Sequence, residues 1–179
     1  ALAVEDGVPQ LVRLLRGAPD GSPLQRDLLS TFVNLATNPE IQVIICSEKD
    51  GVGVFVRLVQ TSEGPVLELV ARVLASLAEL PACQMAMLEE DGLLSIVRLL
   101  TSVDQSVVES CMVALNHTAT TPETRDFVCE VGAVPPLVAL LGSSNEMMQQ
   151  CAVNVVARLC VKNPPGRRKV IQADAVIPL

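Results

Sequence analysis

The chain has 179 residues, half of them hydrophobic, with 20 acidic against 13 basic side chains and a net charge of −7. That balance argues against a protein that tracks nucleic-acid phosphates, which needs a basic face. Charged residues or prolines interrupt every apolar stretch before the roughly 18 to 20 residues of a membrane span, so no membrane insertion is expected.

Along the chain one segment recurs about every 42 residues: Gly-Val-Pro-Gln-Leu-Val-Arg-Leu-Leu from Gly7, then related text from Gly51, Gly92 and Ala133, and a truncated copy from Ala175. Recurrence at this period is the signature of a repeat array, in which each unit buries its apolar face on its neighbours. The units are read as approximately 1–37, 38–79, 80–120, 121–162 and a partial 163–179.

Three helices are predicted per unit. In the stretch from Pro81 to Ala119, Pro81 opens a short first helix through Glu89, because proline at the first turn loses no helical hydrogen bond. Pro39, Pro122 and Pro165 stand at the matching places. Glu90, Asp91 and Gly92 follow, where Gly92 permits a change of direction and Asp91 caps the next helix. A second helix carries Ile96, Val97, Leu99 and Leu100 on one face, with Arg98 between them. After a turn at Thr101–Ser106, a third helix from about Ser106 to Ala119 carries Val108, Cys111, Met112, Leu115 and Ala119 at helical spacing. The other turns are expected at 17–23, 61–65 and 142–145.

These blocks resemble the armadillo repeat family. The carrying residues are the second-helix text quoted above and the ends of the third helices: Thr31 to Ala36, Val73 to Ala78, Ala114 to Ala119 and Val155 to Cys160. HEAT repeats are the structural alternative. The resemblance covers essentially the whole chain and implies an all-α, right-handed α-solenoid of three-helix units whose third helices line a concave groove for an extended partner segment. In family members that bind basic localisation signals, an Asn clamps the partner backbone and a Trp stands four residues before it. Carried onto this chain, the Asn place gives Asn34, Ser76, His117 and Arg158, and the Trp place gives Ser30, Arg72, Val113 and Asn154. Only Asn34 keeps the pattern and the chain has no Trp, so stacking recognition of a basic signal is not expected.

One helical turn further back lie Arg26, Glu68, Glu109 and Gln150, since residues four apart share a helix face. The resulting surface mixes both charge signs and hydrogen-bonding groups. Arg72, His117 and Arg158 form its more positive end, expected to favour an acidic segment. The plainer reading of Glu68 and Arg72 is an i, i+4 pair on a solvated helix. Arg13, Arg57 and Arg98 occupy one register of successive second helices; they are read as arginines whose stems cover apolar surface with the charge in water. Arg167, Arg168 and Lys169 make a short basic run within a first-helix place.

Site chemistry points away from an enzyme. The single histidine, His117, has no converging metal ligands in the sequence, and six residues from Cys111 it lies on a different helix face. No cofactor is implied. The acidic runs at 48–50 and 89–91 are read as caps and solvated ends. The sequon at Asn116 falls within a predicted helix and is discounted. Cys46, Cys83, Cys111, Cys129, Cys151 and Cys160 read as small buried side chains of a reducing compartment.

The expected protein is therefore a non-catalytic, intracellular scaffold, cytoplasmic or nuclear, that binds a protein or peptide segment of acidic or mixed charge. The alternative is a structural or regulatory segment of a larger protein, such as the substrate-recruiting array of a ubiquitin ligase or part of a cytoskeletal or ciliary assembly. Apolar text at both ends, Ala1 to Val4 and Ala175 to Leu179, lacks the polar face of capping repeats, so 1–179 is expected to be a fragment with flanking repeats of the same parent chain.

Overall fold

A computed structural model describes the backbone of residues 2–173 and the side chains of residues 7–173. The truncated fifth copy at Ala175 and the apolar text at the two ends lie outside the described side chains. The described residues form helices α1 (Leu2–Gly17), α2 (Pro23–Leu35), α3 (Pro39–Ser47), α4 (Gly51–Thr61), α5 (Gly64–Leu77), α6 (Pro81–Glu89), α7 (Gly92–Leu99), α8 (Gln105–Thr118), α9 (Pro122–Glu130), α10 (Val134–Leu141), α11 (Glu146–Cys160) and α12 (Pro164–Gln172). First, second and third helices thus succeed one another at the predicted period. The last first helix opens one residue earlier than expected, on Pro164, because Asn163 supplies the cap by accepting from the Gly166 N–H.

The chain divides into two compact parts, 1–95 and 96–179. In the first, like packs on like: α1 on α4, α2 on α5, and α3 on α6. Leu15, Leu29, Phe32, Ile45, Phe55, Leu74, Leu77 and Met87 are fully buried there. Phe32 of α2 meets Phe55 of α4 edge to face, with centroids 5.1 Å apart at 81°. Such pairs add about 0.5–1.5 kcal/mol beyond area burial. In the second part α8 packs on α11, and α9 and α10 on α12, around Met112, Leu115, Val128, Leu137, Val155 and Leu159.

The turn between first and second helices works differently from the sequence expectation. Asp50 and Asp91, not the glycines after them, adopt left-handed backbone, with φ of 63° and 59°. Asp tolerates that region better than most side chains. Gly51 is needed for space, since a Cβ there would run into the Ile45 carbonyl oxygen, and at Gly92 it would sit 2.9 Å from Val56 Cγ2. In the second part Gly132 takes the left-handed role at φ 89°, leaving a buried Ala133 at the start of the next helix.

In α3, α6 and α9 a buried polar side chain near the start of the helix closes the end of the third helix before it. Gln42 Nε2 donates to the Ala36 carbonyl at 2.8 Å, Gln84 Nε2 to the Ala78 carbonyl at 2.8 Å, and Thr124 Oγ1 to the Thr118 carbonyl at 2.5 Å. Each bond reaches back six residues to a carbonyl at a helix end, which has no intrahelical partner. Arg125 stands in the glutamine register of α9, and Thr124 beside it makes the bond instead. Gln42 also donates to the Ser76 carbonyl at 3.0 Å, tying the ends of α2 and α5 together.

Replacing Gln42, 2% exposed, by Leu keeps the volume but removes both bonds. Urea denaturation of Gln42→Leu is expected to show a loss of about 1–3 kcal/mol, the cost of leaving a buried polar partner unsatisfied. Glu40→Gln on the exposed side of the same helix should stay within about 0.5 kcal/mol of the parent.

Candidate functional site

The candidate positions all fall on third helices, whose starts are fixed by side-chain caps. Ser22 Oγ accepts from the Gln25 N–H at 3.1 Å for α2, Asp104 Oδ1 from the Ser106 N–H at 3.0 Å for α8, and Asn145 Oδ1 from the Met147 N–H at 3.0 Å for α11. In α5, left-handed Gly64 and Pro65 replace a side-chain cap.

In the first part, Arg26, Ser30 and Asn34 are exposed along α2, and Arg72 is exposed on the adjacent α5 between half-buried Glu68 and Ser76. The Ser76 hydroxyl donates to the Arg72 carbonyl at 3.3 Å. Glu68 and Arg72 do not form the expected i, i+4 ion pair. The side chains of Arg26, Arg72 and Asn34 make no hydrogen bond or ion pair among the described residues.

In the second part, Glu109 and His117 are half-buried on α8, with Val113 38% exposed between them; Gln150, Asn154 and Arg158 are exposed on α11. Glu109 is already engaged: its Oε1 accepts from Asn145 Nδ2 at 3.1 Å, joining α8 to the cap of α11. Gln150 Nε2 donates to Asn154 Oδ1 at 3.3 Å along the same helix. Asn116 and Thr118 lie within α8, as the reading of the sequon required. The structure thus brings the predicted positions together as two pairs of adjacent helices, one pair in each part.

Arg13, Arg57 and Arg98 are all exposed, as read, but Arg57 also has a partner that the sequence reading missed: its guanidinium pairs bidentately with Asp50, at 2.8 and 2.7 Å. Arg16 adds a contact 3.4 Å from Asp50 Oδ2 and donates to the Lys49 carbonyl at 3.0 Å. Asp50 makes no side-chain cap bond to α4, so the run at 48–50 is an ion-pair centre rather than a cap. The hydrogen bond from Arg57 holds the Asp50 carboxyl below its ordinary range, against the smaller opposing effect of burial. Cys83, Cys111 and Cys129 are buried as read, whereas Cys46, Cys151 and Cys160 are only half-buried. Burial pushes the Cys111 thiol up to about 12, which leaves it protonated and unreactive at neutral pH.

Residues 4–179 match the family described as the plant U-box protein ARM repeat region. The chain belongs to this armadillo-repeat family. Among solved structures, an engineered protein is 28% identical over 95% of this chain and 69% of its own, with a TM-score of 0.82. A second engineered protein is 29% identical over 96% of this chain and 42% of its own, with a TM-score of 0.86. A designed armadillo repeat protein in complex with the peptide (KR)4 shares the fold at a TM-score of 0.85 and 24% identity, over 97% of this chain and 73% of its own. No curated protein sequence matches the chain. The armadillo array was the expectation, and the all-α fold class of this family is what the described residues adopt.

A pH dependence follows from Asp50. A carboxylate whose folded pKa lies below the unfolded value of about 3.9 adds stability above that value and loses it as pH falls through the folded one. The parent should therefore exceed Asp50→Asn by about 0.5–1 kcal/mol at neutral pH, as for a well-formed partly exposed pair. Thermal melts from pH 7 down to pH 2 should show the two converging only below the ordinary carboxylate range.

Proposed function

We propose that the chain is a non-catalytic protein-interaction scaffold that holds an extended partner segment, acidic or mixed in charge, against the exposed faces of its third helices. The observation that carries the reading is the contrast among polar side chains on those helices. Glu109 and Gln150 are spent on intramolecular bonds, while Arg26, Asn34, Arg72 and Arg158 keep their hydrogen-bonding capacity for another molecule. Unpaired donors and acceptors at one-turn spacing suit the repeating amides of an extended backbone, and the arginines add charge selection.

Membership of the plant U-box ARM repeat region favours one form of this reading. The array would recruit substrate for a ubiquitin ligase, with the partner segment belonging to that substrate. The proposed setting is cytoplasmic or nuclear, where thiols stay reduced.

Selection of peptides from a random library on the chain, followed by calorimetric titration of the best binder, tests the proposal. The selected peptide should carry acidic residues, and Asn34→Ala, Arg72→Glu or Arg158→Glu should weaken it by about tenfold or more, roughly 1.4 kcal/mol. A peptide bound equally well by all three variants, or no selectable peptide at all, overturns it.

A further inference from the structure

The charge of this chain is unevenly distributed. Residues 1–95 hold six basic and thirteen acidic side chains, whereas residues 96–179 hold seven of each. Within the second part the basic residues collect: from Met147 to Ala173 there are five, Arg158, Lys162, Arg167, Arg168 and Lys169, and no Asp or Glu. All but Lys169 are exposed. Lys169 is half-buried, its Nζ donating to the Cys129 carbonyl at 2.8 Å, and so serves the packing of α12 on α9.

The other four surround the short turn from α11 to α12, and none forms a side-chain hydrogen bond or ion pair among the described residues. Burial raises the Cys160 thiol and the nearby Arg167 charge works against it, which sets Arg167 close to the end of α11. Acidic groups on the elements packed against this corner are Glu123, Asp126 and Glu130 of α9 and Glu109 of α8. Asp126 is bonded to Asn163 Nδ2 at 2.9 Å and Glu109 to Asn145; none of them ion-pairs with the corner.

Helix electrostatics explains only half of this cluster. Arg158 and Lys162 lie at the C-terminal end of α11, where a positive charge is stabilising. Arg167 and Arg168 are the fourth and fifth of the nine residues of α12, away from both ends, so the macrodipole gives them no stabilisation. Two exposed arginines beside two more cations and without intramolecular partners repel one another, and an anionic ligand would relieve that repulsion.

We infer that Lys162, Arg167 and Arg168 form a docking corner for an acidic peptide segment, distinct from the third-helix positions and following the last of them, Arg158, in sequence. The inference rests on the scaffold reading and adds to it where the acidic portion of the partner is held. Charge complementarity selects the occupant: guanidinium groups pair carboxylates bidentately.

The test is fluorescence anisotropy of a labelled oligo-glutamate peptide with the 1–179 chain, beside an oligo-glutamine control, phosphatidylserine vesicles and a DNA duplex. Saturable binding of the glutamate peptide is expected, weakened about tenfold in Arg167→Glu/Arg168→Glu and little changed in Arg13→Glu, an exposed arginine of α1 outside both sets of positions. The double variant should melt close to the parent temperature, because both side chains are exposed and without intramolecular partners, so lost binding cannot be ascribed to unfolding. Equal peptide binding by the double variant overturns the corner, as does binding of vesicles or DNA with none of peptide. Loss of a library-selected peptide in Arg72→Glu alone would leave the scaffold standing without the corner.

Discussion

Everything on the third-helix faces depends on how the end of one unit is joined to the start of the next. The joint is a buried hydrogen bond from a first-helix side chain to a carbonyl six residues earlier, made by Gln42, Gln84 and Thr124. Helix ends leave carbonyls unpaired, and burying one without a partner costs as much as a good core contact supplies. At these three joints the chain turns sharply and cannot pair those carbonyls in regular structure, and a side chain reaches them instead. Once it does, the direction of the third helix relative to the following first helix is set by bond geometry as well as apolar packing.

Gln42 carries this further by bonding to the Ser76 carbonyl as well. Ser76 belongs to the candidate surface, yet its backbone is held from behind while its side chain stays at the surface. The arrangement separates two tasks that would otherwise conflict. Inward groups fix spacing between α2 and α5, and outward groups at Arg26, Ser30, Asn34, Glu68 and Arg72 can differ without disturbing that spacing. The Asp50–Arg57 pair adds a similar tie at the second helices, with Arg16 bridging α1 to the turn before α4.

Most of the scaffold was legible because it is written in periodicity. The first helix from Pro81 to Glu89 and the third-helix register both follow from proline placement and apolar spacing, which local physics determines. What escaped the sequence reading depends on distant partners. The repeated Pro-x-x-Gln at 39–42 and 81–84 was visible as text, but nothing local says that its glutamine turns inward, and the register breaks at Arg125, where Thr124 takes over. Asp50 was misread as a cap because acidic residues before helices usually are caps; its left-handed backbone and two arginines from other turns redirect it. Glu109 was read as a surface group, but Asn145, 36 residues away, claims it.

The same distinction bears on recognition. An armadillo array that reads basic signals by stacking needs aromatic side chains at fixed places, and this chain has no Trp or Tyr and three Phe, of which Phe32 and Phe55 are fully buried. The exposed candidate positions on its third helices are arginine, asparagine, serine and glutamine with one valine, and any contact the polar ones make would run through hydrogen bonds and charge, which depend more steeply on salt and on pairing geometry than stacked rings do. A scaffold of this kind gains selectivity from the pattern of charge along the array rather than from any one pocket. Charge is also uneven along the chain, balanced over residues 96–179 and strongly acidic over 1–95, so a charged segment would meet a different local field on each part.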